Sequence, residues 1–227
     1  MFSRISSVLS DPVSFLLTLP CILFALSGHE FAHGWAAWKL GDPTARNLGR
    51  LTLNPLKHLD PVGTLCMVFF GFGWARPVPV NARYFKNNRR DFALTALAGP
   101  LANFIMAFLG LLLTHILYEI CVAFPPSSEF GVRLWRSGLT MSQSFVVLNL
   151  SLGVFNLIPV PPLDGSRIFL VWLPAKYYFG VMKYERYIQL GLLVLLWLGL
   201  LSAPLSYAVN GLYTVMNWVI TRIPLFR

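Results

Sequence analysis

Residues 92–124, FALTALAGPLANFIMAFLGLLLTHILYEICVAF, form an apolar run whose one formally charged residue is Glu119. In hydrocarbon such a backbone must satisfy its own hydrogen bonds, which leaves only helices and closed barrels. About 18 to 20 residues of this kind already cross a bilayer as a helix. This run exceeds 30 residues before it stops at Pro125 and Pro126, so it predicts a spanning helix that tilts or protrudes. Four further segments read the same way: 13–38, closed by Gly41, Asp42 and Pro43; 141–158, stopping at PVPP; 187–203, closed by Pro204; and 205–220, shorter and studded with Ser206, Asn210 and Asn217. Composition agrees, with 56% hydrophobic and 12% charged residues against about 25% charged in a soluble domain. The expected fold is an all-α polytopic membrane protein of about five transmembrane helices. Residues 1–227 would form one integral-membrane domain, with a core at 13–170 and C-terminal helices at 187–220.

The stretch between the first two spans reads differently. GRLTLNP (49–55) and ARPVPVNARYF (75–85) alternate with period two and carry prolines, a pattern suited to edge strands. Between them VGTLCMVFFGFGW (62–74) is apolar, too short to span and rich in glycine. A small β-hairpin with a re-entrant segment is the expectation here, provided protein shields its backbone.

The net charge of +9 raises the possibility of a nucleic-acid partner, but its placement favours the positive-inside rule. With the N-terminus outside and five spans, the cytoplasmic side holds nine Lys/Arg in 39–92, four in 165–186, and Arg222 with Arg227. The outer side holds only Arg4, Arg133 and Arg136. If 205–220 does not span, the last pair moves outside and the split becomes thirteen against five with the same orientation. A multi-pass protein of the cell membrane follows, with the lipid bilayer and not nucleic acid as its environment. Cys21, Cys66 and Cys121 form no CxxC pair and read as buried thiols. The opening MFSRISSVLS is too polar and short for a cleaved signal, so the first span is expected to serve as signal and anchor.

Within the first span, LSGHEFAHGW (26–35) sets His29, Glu30 and His33 in an oily helix, where ionisable groups are costly and mark functional sites. His29 and His33 are four apart and share one helix face. That is the HExxH arrangement, two imidazoles for one zinc ion with the glutamate beside the attacking water. A catalytic zinc site needs a third protein ligand. The extended pattern HExxHxxGxxH fails, because Ala36 stands in the glycine position and Lys39 in that of the third histidine. The carboxylates left on the cytoplasmic side are Asp42, Asp60, Asp91, Asp164 and Glu185. Asp164 is the best of them: it lies in FNLIPVPPLDGSR (155–167), where the third span breaks at prolines and Gly165 permits a sharp turn. Irregular backbone at membrane depth belongs inside protein or beside a wet cavity. The competing reading of Asp164 is a helix N-cap ahead of SRIFLVWL.

HEFAHG together with NLIPVPPLDG resembles the site-2 protease family of intramembrane zinc metalloproteases. RLTLNPLKHLDPVGTL, GWARPVPVN and AGPLANF are similar to its compact bacterial branch, without a PDZ domain. The resemblance covers most of residues 20–170. It implies one Zn2+ per chain on His29, His33 and Asp164, Glu30 as catalytic base, and a transmembrane protein as substrate, cut near the cytoplasmic face. It also suggests that Asn156 helps hold the substrate backbone or the developing oxyanion; interhelical hydrogen bonding is the other reading of Asn156. Asn103 in GPLAN reads as packing and interhelical glue, His58 as an interfacial structural histidine, and His115 as a satisfied polar contact. Two alternatives stay open: a membrane metalloprotease that cuts soluble or prenylated peptide ends, and an inactive relative or metal-dependent membrane binding protein. The LDG motif speaks against the first and the intact Glu30 against the second.

Overall fold

The computed structural model describes residues 12–70, 74–169 and 172–223. Its helices are α1 (Pro12–Lys39), α2 (Pro61–Phe70), α3 (Asn88–Ala123), α4 (Glu129–Asn156), α5 (Asp164–Phe169), α6 (Ala175–Lys183), α7 (Glu185–Trp197) and α8 (Ser202–Ile220). Three of these, α1, α3 and α4, are long and apolar enough to cross a membrane. They pack on one another, α5 lies against α3, and α8 lies against α4 and α3. The buried core joins Ala107 and Leu111 of α3, Val146 and Leu150 of α4, and Val209 and Ile220 of α8.

Helix ends follow local chemistry. The Asn87 side chain caps α3 by accepting from Arg90 N–H, and Asp91 accepts from Asn87 N–H in return. Ser128 caps α4 by accepting from Gly131 N–H. That cap explains why α4 begins at Glu129, well before the apolar run expected from residue 141. The extra turns carry Arg133 and Arg136, and Arg133 pairs with Glu129 at 3.3 Å on an exposed face.

Two expectations need correction. Among the described residues the five predicted spans become three, or four if α7 and α8 count as one, because these two helices meet at a bend of 81°. α7 has 13 residues, about 20 Å at 1.5 Å per residue, too short for a hydrocarbon core of roughly 30 Å. Gly199, with φ +74°, ends it.

The predicted β-hairpin does not form. Among the described residues the only pairing is an isolated antiparallel bridge between Leu59 and Ala75. Pro55, Pro77 and Pro79 remove ladder donors, while Asn54 and Asn81 instead cap single 3-10 turns at Pro55–Lys57 and Ala82–Tyr84. Buried Asp42 ties the two ends of this segment together. One oxygen accepts from Thr44 N–H and the Thr44 hydroxyl, and the other from Asn81 N–H at 2.6 Å.

Candidate metal centre

α1 supplies His29 and His33 on one face, and the first residue of α5 supplies Asp164. The two Nε2 atoms lie 3.0 Å apart, and Oδ2 of Asp164 stands 3.1 Å from His29 and 3.2 Å from His33. The three side chains are 6%, 12% and 19% exposed. Two glycines make this approach possible. A Cβ on Gly99 of α3 would run into both imidazoles, and one on Gly165 would strike the carbonyls of Leu157 and Ile158. Gly165 does not have positive φ, so its absent side chain, not a left-handed turn, is what lets Asp164 reach the histidines.

Hydrogen bonding on the far side of each ring fixes which nitrogen holds the proton. Nδ1 of His33 lies 2.8 Å from the carbonyl oxygen of Thr95, which can only accept, so this nitrogen donates. Nδ1 of His29 lies 2.6 Å from Oδ1 of Asn103 and donates in the same way. When each ring is neutral, Nδ1 holds its hydrogen and Nε2 presents a lone pair toward Asp164. Oδ2 of Asp164 is buried and accepts no hydrogen bond despite its closeness to both rings. Three lone-pair donors converging in this way repel one another unless a proton or a metal ion lies between them. Two imidazoles and one carboxylate are a donor set that catalytic zinc sites use with a fourth position left open. The residues present fit zinc.

Glu30 and Asn156 border the same cavity, of about 360 Å³, with Pro77, Val78, Thr95 and Arg167. Oε2 of Glu30 accepts from Val78 N–H at 2.8 Å. Nδ2 of Asn156 donates to Leu152 O at 3.0 Å, which leaves its second N–H free of that bond. Residues 76–78 are held across the site by Arg50, whose Nη2 donates to Arg76 O at 2.7 Å and Pro77 O at 3.4 Å. Burial and the neighbouring Arg76 charge push the Arg50 guanidinium below its ordinary pKa, and Glu30 pulls it back up. A second cavity, apolar and about 420 Å³, is lined by Ile22, Leu26, Leu148, Phe155, Leu192 and Leu205 and shares Pro162 with the first.

The structure brings together all five residues singled out for the site: His29, Glu30, His33, Asn156 and Asp164. His58 is buried with Nε2 2.7 Å from Thr52 O, and His115 reaches Asn217 at 2.8 Å; both are structural contacts. Sequence reasoning missed the Thr95 carbonyl, the Val78 N–H, Arg50 and Asn149; its reading of Asn103 as interhelical glue agrees with bonds to Ala25 O and Asn149, and the contact with His29 comes in addition. A polar residue in an apolar run was the signal available for the two asparagines, but it carries no information about which neighbour it meets.

Known proteins provide an independent comparison. The profile of peptidase family M50 matches residues 132–199. YwhC of Bacillus subtilis, named as a zinc metalloprotease, is 41% identical over 170 residues, which is 73% of this chain and 73% of its own. Rip2 of Mycolicibacterium smegmatis, named likewise, is 34% identical over 159 residues, 66% of this chain and 55% of its own. A zinc metalloprotease of Methanocaldococcus jannaschii is 35% identical over 209 residues, 91% of this chain and 50% of its own. The chain thus spans about half the length of the latter two relatives. No solved structure matches it.

Proposed function

The chain belongs to peptidase family M50, the site-2 protease family of membrane zinc metalloproteases, and from that premise we propose that it cuts a peptide bond in or near the transmembrane segment of another membrane protein, close to the cytoplasmic side. One observation carries the reading: Nε2 of His29, Nε2 of His33 and Oδ2 of Asp164 converge in a cavity that Glu30 also lines. In this reading those three residues hold the metal. Zinc bound there supplies Lewis acidity, which polarises the scissile carbonyl and acidifies water.

The protein's own groups do the rest. The Glu30 carboxylate takes a proton from the attacking water as its oxygen bonds to the carbonyl carbon. It returns that proton to the amide nitrogen as the C–N bond breaks. The free N–H of Asn156 donates to the substrate backbone or to the oxygen on which negative charge develops. A transmembrane helix hides its carbonyls, so the substrate must unwind locally, and helix-breaking residues near the cut favour cleavage. The adjoining apolar cavity suits the flanking part of such a segment. The cytoplasmic placement rests on the concentration of Lys and Arg in residues 39–92.

The test compares Glu30→Gln with wild type in liposomes holding a model transmembrane substrate. Glu30→Gln is expected to keep its zinc and to cleave about 10²–10⁴-fold more slowly. Wild-type cleavage by a zinc-loaded Glu30→Gln protein overturns the mechanism.

A further inference from the structure

Behind His29 lies a chain of two asparagines, both fully buried. Oδ1 of Asn103 (α3) meets Nδ1 of His29 at 2.6 Å, and Nδ2 of Asn103 donates to Oδ1 of Asn149 (α4) at 2.9 Å. Nδ2 of Asn149 donates to the Phe145 carbonyl at 2.9 Å. Three spanning helices are thereby joined at one level by side chains alone.

The direction of each bond follows from its far end. A main-chain carbonyl only accepts, so Phe145 O obliges Asn149 to turn Nδ2 toward it and Oδ1 toward Asn103. That oxygen obliges Asn103 to turn Nδ2 toward Asn149, a choice reinforced by the Ala25 carbonyl 3.4 Å from the same nitrogen. What remains for His29 is an oxygen. Nδ1 of His29 must then carry hydrogen, and its Nε2 keeps the lone pair that faces Asp164. Glue between helices would need neither this polarity nor an end at the imidazole.

We propose that Asn103 and Asn149 are positioning residues that set the ring orientation and tautomer of His29 and thereby its affinity for zinc. This rests on the reading of His29 as a metal ligand. Outer partners of a ligating histidine typically change metal affinity 10–100-fold when removed. Replacing both asparagines by leucine removes the relay without leaving a lone buried amide and leaves only the His29 N–H without its side-chain partner, so the fold is expected to persist.

Zinc affinity is measured on the full-length protein in detergent by competition with a chelator, and melting temperature on the metal-free protein. Asn103→Leu with Asn149→Leu is expected to bind zinc about 10–100-fold more weakly while melting near wild type when metal-free. Asn103→Asp combined with Asn149→Leu keeps an acceptor for the His29 N–H without facing it to the Asn149 oxygen, and is expected to restore most of the affinity. Wild-type affinity in the double leucine variant overturns the proposal, and so does Asn103→Asp with Asn149→Leu binding as weakly as that variant. Should the double variant not accumulate, Asn149→Leu alone is expected to weaken binding, and unchanged affinity there overturns the proposal. His29→Ala separates the two levels: if it keeps wild-type affinity, the ligand assignment itself has failed. If His29→Ala loses zinc and the double leucine variant does not, only the relay has failed.

Discussion

A missing methyl group decides as much in the metal centre as the ligands do. Gly99 backs directly onto His33 and His29, and any Cβ there would occupy the space of the two rings. Gly99→Val should therefore displace the imidazoles and empty the site without touching a ligand. Metal analysis of purified protein is expected to find little bound zinc, whereas a valine at Gly138, where a side chain meets nothing within 4 Å, should leave zinc content at the wild-type level. Much at this scale was legible in the sequence. HExxH and LDG named four residues that meet at the candidate site, because a metal would restrict its ligands chemically and HExxH sets a glutamate beside them. The AGPLAN segment was visible too, but the role of Gly99 and Asn103 depends on which helix packs against them. One-dimensional spacing does not contain that fact.

Among the elements, the segment from Ala75 to Asn81 illustrates how backbone groups are allocated. Its period-two pattern suggested a strand, yet beside one backbone bond, Arg76 N–H to His58 O, side chains hold it: Arg50 takes the carbonyls of Arg76 and Pro77, Glu30 takes the Val78 N–H, and Asp42 takes the Asn81 N–H. Alternation marks an extended chain with two unlike faces, but it does not reveal what satisfies the backbone between them. An extended peptide aligned on residues 76–78 would find these groups already engaged and would have to displace Arg50 or Glu30 to pair there. Arg50→Ala is expected to speed amide hydrogen exchange in residues 76–81 while α3 exchanges as in wild type. Unchanged protection in that segment would mean that Arg50 does not hold it. The helices themselves were easier to read, since α1 and α3 end within a few residues of the apolar runs. The start of α4 was missed because Ser128 and its cap lie in polar sequence, and the α7–α8 bend because two apolar helices joined at Gly199 have the same hydropathy as two spans.

For the whole molecule, the charge distribution makes an orientation testable. On a background lacking native cysteines, Lys86→Cys, on the expected cytoplasmic side, should react with a membrane-impermeant thiol reagent only after cells are opened. Ser127→Cys, between α3 and α4, should react in intact cells. The reverse pattern would invert the membrane assignment and leave the metal centre as it is.

His29 and His33 come from the first long helix, and Asp164 from the start of α5, beyond the third. An ion held by both parts closes the intervening chain into a ring, and closing a long loop removes conformational freedom from the unfolded chain. Because native protein binds it more tightly than unfolded protein, it also stabilises the fold by mass action. Stripping zinc with a chelator should lower the melting temperature of the wild type and leave that of Asp164→Ala nearly unchanged; equal shifts would place the chelator's effect elsewhere. The group that performs the chemistry then doubles as a cross-link, so a protein starved of metal would lose mechanical integrity along with activity.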